Sequence, residues 1–142
     1  MKRQSLLGLI LLSVSLFAAK AQAELVVEDA WVRAALPVQK TTALYMRIKN
    51  NGEKDIYLTG VSSEIAGSAM FHRTFESNGM AAMHHVDRVK VASGQQVQFK
   101  PGGLHVMLMR LKSGLKVGDE VAVKLQLSDG REIQIKAKVK TQ

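Results

Sequence analysis

Apolar and polar residues alternate with a period of two along most of the chain beyond residue 23. The alternation is clearest over residues 120–127 and 132–139, which flank an Asp129-Gly130 turn signal. Alternation puts successive side chains on opposite faces of a strand, and Asp-Gly favours a tight hairpin turn. No stretch has the 3.6-residue period of a long amphipathic helix. The pattern therefore predicts an all-β chain, folded as one antiparallel sandwich of seven to nine strands.

Turn signals that contain glycine, asparagine, aspartate or proline bound the candidate strands. These strands are residues 26–34, 42–49, 56–62, 69–75, 82–91, 96–99, 105–111, 120–127 and 132–139. Residues 35–41 and 115–119 are predicted loops, because each carries a turn-forming Pro or Gly-Asp pair. The last two strands are predicted to form a hairpin.

The N-terminus has the pattern of an export signal. Lys2 and Arg3 precede an apolar run over residues 6–19, and Ala21-Gln22-Ala23 supplies the small-x-small pattern of a cleavage site. A spanning helix needs about 20 apolar residues, so the shorter run favours a cleaved signal over a membrane anchor. We therefore expect a signal peptide over residues 1–23 and an exported protein with no stable membrane insertion after cleavage.

The remaining residues 24–142 suit one compact domain. The full chain has a formal net charge of +8, and its basic residues are scattered. Lys136, Lys138 and Lys140 alternate along one side of a predicted strand without an accompanying aromatic platform, which argues against nucleic-acid binding. A solvated face is the simpler interpretation, and contact with an acidic partner is the alternative.

The chain contains no cysteine. This excludes disulfides, a thiol nucleophile, a thiolate zinc site and the cysteine-ligated blue-copper centre of electron-transfer proteins. No spaced Ser/His/Asp set or pair of carboxylates stands out either, so the sequence does not predict an enzyme. Any soft-metal site in this chain has to use methionine and histidine.

Histidine and methionine are concentrated in one region. All four histidines and five of the seven methionines lie between residues 70 and 109. Imidazole and thioether donors without Cys, Asp or Glu suit Cu(I) better than calcium, magnesium or structural zinc. A thioether also binds a soft ion without competition from protons and cannot form a disulfide in an oxidising compartment.

Four of these residues are the candidate ligands: His72, Met83, His105 and Met107. His105 and Met107 lie two apart on a predicted strand and therefore share a face. His72 and Met83 lie on either side of the Asn78-Gly79 turn, so a hairpin would bring them together. Cu(I) imposes no ligand-field geometry, and we hypothesise that two nitrogen and two sulfur donors surround it tetrahedrally.

The other histidines and methionines have simpler interpretations. Met46, Met70 and Met109 are predicted to be packing residues, because methionine commonly fills cores. His84 and His85 are adjacent, so on a strand they face opposite ways and at most one of them can join the site. The residues alone also leave open a secreted interaction sandwich without any metal, in which the cluster is only core and surface.

The spacing of the four candidates, H-x10-M-x21-H-x-M, resembles that of the periplasmic copper chaperone family PCuAC. Residues 30–33, 43–46 and 101–108 resemble further segments of that family, so the resemblance covers most of the chain beyond the signal. It implies a periplasmic, cupredoxin-like Greek-key sandwich that binds one Cu(I) per chain through His72, Met83, His105 and Met107.

The resemblance also implies delivery of Cu(I) to the dinuclear copper centre of cytochrome c oxidase, alongside a thiol-containing copper chaperone. We expect a monomer, although the sequence itself contains no signal for the oligomeric state. Copper buffering or tolerance with the same site is the alternative function. Some members have a methionine directly after the first histidine and a His- and Met-rich tail, whereas this chain has Arg73 and a tail without either residue. A second copper is therefore not predicted, and the sequence leaves open whether Met70, Met80, His84 or His85 assists loading.

Overall fold

The computed structural model describes residues 24–141, so the predicted signal peptide and residue 142 lie outside the described residues. Ten strands are present in that range. They are β1 (Leu25–Arg33), β2 (Thr41–Asn50), β3 (Ile56–Ser62), β4 (Ala66–Ser77), β5 (Met80–Val86), β6 (Val89–Val91), β7 (Gln96–Phe99), β8 (Leu104–Leu111), β9 (Glu120–Leu127) and β10 (Glu132–Lys140).

The strands form one hydrogen-bonded path in the order β5-β4-β8-β2-β1-β10-β9-β3-β6, with β7 paired to β2 beside it. Leu44 of β2, Phe71 of β4 and Leu125 of β9 belong to a single buried cluster. Because strands far apart on the path share one core, the path curls into a sandwich. The predicted all-β fold is confirmed. Within residues 24–141, no helix is long and apolar enough to cross a bilayer.

The hairpin of β9 and β10 follows directly from the alternation in the sequence. The two strands pair antiparallel, with Ile135 opposite Val123, and the apolar face of each lies against the core. Gly130 has a φ of 86°, which the turn requires and a side chain would disfavour. The predicted terminal hairpin is confirmed, and its lysines at 136, 138 and 140 are exposed as expected.

One predicted strand is wrong, because residues 82–91 form two strands rather than one. Asp87 and Arg88 separate β5, which pairs with β4 at one end of the path, from β6, which pairs with β3 at the other. Val86 and Val89 both pack against the core. They are three positions apart, so one straight strand would point them to opposite faces, and the chain has to break between them.

The strand count and one pairing also differ from the prediction. The sandwich has ten strands rather than seven to nine, and β1 pairs with β10 in parallel, with Val32 opposite Val139. An antiparallel sandwich was expected throughout. The parallel pair joins the first and last strands of the described chain, and local alternation contains no information about such a pairing.

Candidate metal site

His105 lies at the start of β8 directly after a tight turn. The Gly103 N–H donates to the Lys100 carbonyl over 3.1 Å, and Gly102 has a φ of 77°. The side chain of His105 is buried, and its Nδ1 lies 2.9 Å from the Gly103 carbonyl oxygen. A carbonyl only accepts, so Nδ1 carries the proton, and in the neutral ring Nε2 then has the lone pair that a metal needs. The turn thus fixes both the ring and its tautomer.

The register between β4 and β8 brings the first candidate pair together. His72 lies directly opposite His105, and Met70 lies directly opposite Met107. Opposed residues of an antiparallel pair share a face, so these four side chains lie on one side of the two strands. The centroids of the two imidazole rings are 6.0 Å apart. As predicted, Val106 is fully buried on the other face.

The β4–β5 hairpin brings Met83 to the same face. Asn78 and Gly79 form the two-residue loop with φ values of 52° and 75°, the backbone that Asn-Gly favours. Thr74 of β4 is then paired with Met83 of β5. Since His72 is two residues before Thr74 on the same strand, it shares a face with Met83. The predicted hairpin at this turn is confirmed.

Three of the four candidates line one cleft of about 340 Å³: Met83, His105 and Met107. Met83 is 56% exposed, whereas Met107 is half-buried, so the cleft is open on the Met83 side. His72 does not line this cleft itself. It lies beside it in contact with the His105 ring. The structure therefore gathers the four side chains, with His72 at the edge of the group.

The environment of His72 favours its neutral form. Burial lowers the pKa of the His72 imidazole below its ordinary value, and the positive charges that His105, His85 and His84 can carry lower it further. Its Nδ1 atom is buried and has no hydrogen-bond partner. A neutral imidazole with an unsatisfied buried nitrogen fits a metal ligand, because a bound ion would supply the missing partner.

The two adjacent histidines on β5 have different surroundings. His85 is paired with His72, and the ring centroids are 5.9 Å apart. Its Nε2 lies 3.1 Å from Oδ1 of Asp87. His84 is paired with Arg73 and its ring contacts Phe75 on the opposite face. As the sequence indicated, at most one of the pair can face the candidate ligands, and it is His85.

The remaining methionines are distributed between core and surface. Met46 is fully buried in the core, as predicted, and Met80 is 70% exposed at the tip of the β4–β5 hairpin. Met70 and Met109, which were expected to be core packing, are half-buried on the face that carries Met107. Packing thus accounts for Met46, while Met70 lies next to the candidate ligands.

The sequence did not identify the aromatic wall of the cleft. Tyr45 lines the cleft, and its ring centroid lies 4.6 Å from that of Trp31. Trp31 is half-buried and lies outside the buried cluster, so it supports this wall rather than the core. Ala43 is paired with Met107, and Tyr45 lies two residues further along β2, so Tyr45 is on the same face as Met107. Only this pairing register indicates that Tyr45 lines the cleft.

The donor types at this site narrow the choice of metal. Within residues 24–141, no three His, Cys, Asp or Glu side chains come close enough to hold an ion together. The cleft at this face offers the thioethers of Met83 and Met107 beside the imidazole of His105. This combination of soft and borderline donors favours Cu(I) over zinc, calcium or magnesium.

Comparison with known proteins supports a shared family. The LpqE-like family model matches residues 25–139. The Leifsonia xyli subsp. xyli protein Lxx21020 is 35% identical over 115 residues, which cover 80% of this chain and 68% of that protein. The Rickettsia prowazekii protein RP573 is 32% identical over 113 residues, covering 77% of this chain and 62% of that protein. The chain spans about two thirds of the length of these two relatives.

Solved structures give the same result. The solution structure of CuI-DR1885 from Deinococcus radiodurans is 38% identical with a TM-score of 0.68, covering 87% of this chain and 82% of that one. The copper-bound PCuAC domain from PmoF2 is 25% identical with a TM-score of 0.70, and the match covers 84% of this chain and 94% of that domain. The apo PCuAC domain from PmoF1 is 29% identical with a TM-score of 0.70, and the match covers 84% of this chain and 95% of that domain.

Proposed function

Because this chain belongs to the LpqE-like family and has the PCuAC fold, we propose that it is a copper chaperone that binds one Cu(I) and passes it to another protein. The family resemblance found in the sequence and the cupredoxin-like sandwich are confirmed by those matches. Two of the matched structures are described as copper-bound, one of them with Cu(I). In this chain the ligands are proposed to be His72, Met83, His105 and Met107.

One observation carries the ligand assignment. His72 lies opposite His105, and Met83 lines the same cleft as His105 and Met107, although the four residues come from three strands. A packing role does not account for this cluster well, because Met83 is exposed and His72 has a buried nitrogen without a partner. Both features are expected of metal ligands in the absence of the metal.

The arrangement also suits release. The Gly103 carbonyl fixes the ring of His105, so this imidazole anchors the ion. Met83 is the most exposed of the four and belongs to the hairpin strand at the edge of the sheet. We expect Met83 to be replaced first when a ligand from the acceptor approaches, since it is neutral, weakly bound and open to solvent.

The proposed acceptor is the dinuclear copper centre of cytochrome c oxidase, and a thiol-containing chaperone is a proposed partner in the same transfer.

We also propose export to the periplasm, with residues 1–23 removed and residues 24–142 as the copper-binding domain. The signal pattern in the sequence and the lipoprotein name of one relative support export. Copper buffering with the same site is the alternative, and it predicts binding without transfer.

The ligand assignment is tested by titrating Cu(I) against a chromophoric chelator. Met83→Leu and Met107→Leu each remove a thioether while keeping similar volume, and Met109→Leu is the matched control two residues beyond Met107 on the same strand. We expect weaker binding in the first two variants and wild-type binding in the control. Equal affinity in all three variants would refute the ligand assignment.

A further inference from the structure

Two loops beside the metal cleft enclose an apolar groove of about 760 Å³. Residues 34–37 and 39 form one side and residues 112–117 form the other, and we call this the loop groove. Leu36 and Val117 in its lining are 66% and 62% exposed, and the neighbouring Val38 is 81% exposed. Grouped exposed aliphatic side chains of this kind mark surfaces that contact another molecule.

Hydrogen bonds hold these apolar side chains outward on a fixed backbone. Ala35 and Leu115 exchange two backbone hydrogen bonds of 3.0 and 2.8 Å, which join the two loops. Gln39 closes the first loop, because its Oε1 accepts from the Leu36 N–H and its own N–H donates to the Leu36 carbonyl. A preorganised surface loses little conformational entropy on binding, which favours a docking role.

The loop groove adjoins the metal cleft. Ala34 and Gln39 line both, so no ridge of other residues separates them. A protein seated in the loop groove would therefore extend over the cleft that contains His105 and Met107. That position is where an acceptor has to bring its own ligand to the metal.

The loop groove is also basic. Lys112 and Lys116 line it and are exposed. Within residues 24–141, every ion pair closer than 4.0 Å involves other cations, so these two ammonium groups have no carboxylate partner in that part of the chain. Asp119 lies at the edge, where its Oδ2 accepts from the Lys116 backbone N–H. Two lysines around apolar residues complement a partner that carries carboxylates around an apolar side chain.

We propose that the loop groove is the docking surface for the copper acceptor, a protein with an apolar side chain ringed by carboxylates. This rests on the proposed function, because the acceptor's chemistry follows from copper transfer. A second copy of this chain fits less well, since a twofold contact would bring the lysines of both copies together. A lipid surface carries no soft ligand that could replace Met83.

The test measures Cu(I) transfer from loaded protein to the apo copper domain of cytochrome c oxidase, followed through the visible absorption of the acceptor. The apolar variant is Leu36→Ser with Val38→Ser, and the charge variant is Lys112→Glu. Lys124→Glu is the matched charge control, because Lys124 is exposed on β9 and lines neither the loop groove nor the cleft. Chelator titration of each variant measures Cu(I) affinity separately.

We expect the apolar variant to transfer about 10-fold more slowly, with unchanged Cu(I) affinity, as loss of a central interface contact would produce. Lys112→Glu should slow transfer at low salt only, and Lys124→Glu should behave as wild type. Wild-type transfer rates in both groove variants would overturn the docking surface. The proposal would also be overturned if the apolar variant changed only self-association in sedimentation, which indicates a contact between copies of this chain. A change only in binding to phosphatidylglycerol vesicles would overturn it in favour of a lipid surface. No transfer by the wild type would instead overturn copper delivery, and the docking surface with it.

Discussion

His72 of β4 lies directly opposite His105 of β8, and their ring centroids are 6.0 Å apart. The pairing puts one imidazole from each strand on the face that also carries Met107. His105 is held by a backbone carbonyl, whereas His72 has a buried nitrogen without a partner. The His105 imidazole is thus oriented before a metal binds, and the buried nitrogen of His72 lacks a hydrogen-bond partner. Both features favour metal binding.

Replacing either imidazole should greatly weaken copper binding. His72→Asn and His105→Asn each remove a proposed ligand, and we expect Cu(I) affinity to fall by at least about 100-fold, since loss of an outer partner alone costs 10- to 100-fold. Chelator competition measures this, and thermal unfolding checks that each variant is folded. A fall of less than about tenfold in both variants would contradict the proposed nitrogen ligands.

His85 and His84 provide an internal comparison. His85 shares the ligand face and contacts His72, so we expect His85→Asn to lower Cu(I) affinity by an amount on the order of tenfold. His84 faces Phe75 on the other side, and His84→Asn should leave the affinity unchanged. The same chelator titration compares the two. A larger loss in His84→Asn than in His85→Asn would contradict the assigned faces.

Protonation of His72 should require more acid than protonation of an ordinary histidine. Burial and neighbouring histidines lower the pKa of His72, so its neutral form persists below the ordinary histidine value of about 6.5. Competition from protons at His72 should begin only as pH falls past that value. The same shift stabilises the folded apo protein above pH 6.5, and this contribution is lost as pH falls through the lower folded pKa.

NMR titration of the His72 ring in the apo protein measures this pKa directly. We expect a midpoint below the ordinary histidine value of about 6.5. A His72 midpoint above about 6.5 would contradict the expected environment of this imidazole.

Truncating a core side chain where β1, β2 and β8 meet should lower the stability of the fold. Leu44 has no exposed surface and is paired with Val32 on one side and Val106 on the other. Leu44→Ala should lower the free energy of unfolding by about 2–5 kcal/mol, because it leaves a cavity in close-packed surroundings. Val38→Ala, at an exposed loop position, should change it by less than about 0.5 kcal/mol. Equal effects in urea unfolding would contradict the core assignment.

Local patterns predicted most of the fold. The alternation in β9 and β10 gave their bounds to within one residue and their hairpin, because each strand buries one face only. The break between β5 and β6 was missed, although the spacing of Val86 and Val89 indicates it. The parallel pairing of β1 with β10 joins distant segments, so no local pattern contains it.

The candidate ligands were identifiable from residue chemistry, but their neighbours were not. The soft donor types and the two-residue spacing on one strand predict that His105 and Met107 share a site. Which of His84 and His85 faces the cluster depends on the register of β5 against β4, and this register is fixed by the turn at Asn78-Gly79. The role of Tyr45 as a cleft wall depends likewise on the pairing of β2 with β8.

X-ray absorption at the copper edge tests the central claim most directly, because it counts the donor atoms around the bound ion. Wild-type protein loaded with one Cu(I) should have two nitrogen and two sulfur neighbours, and Met83→Leu should lose one sulfur. Met109→Leu should retain the wild-type spectrum. A copper shell without sulfur, or a sulfur count that Met83→Leu and Met107→Leu both leave unchanged, would contradict the account.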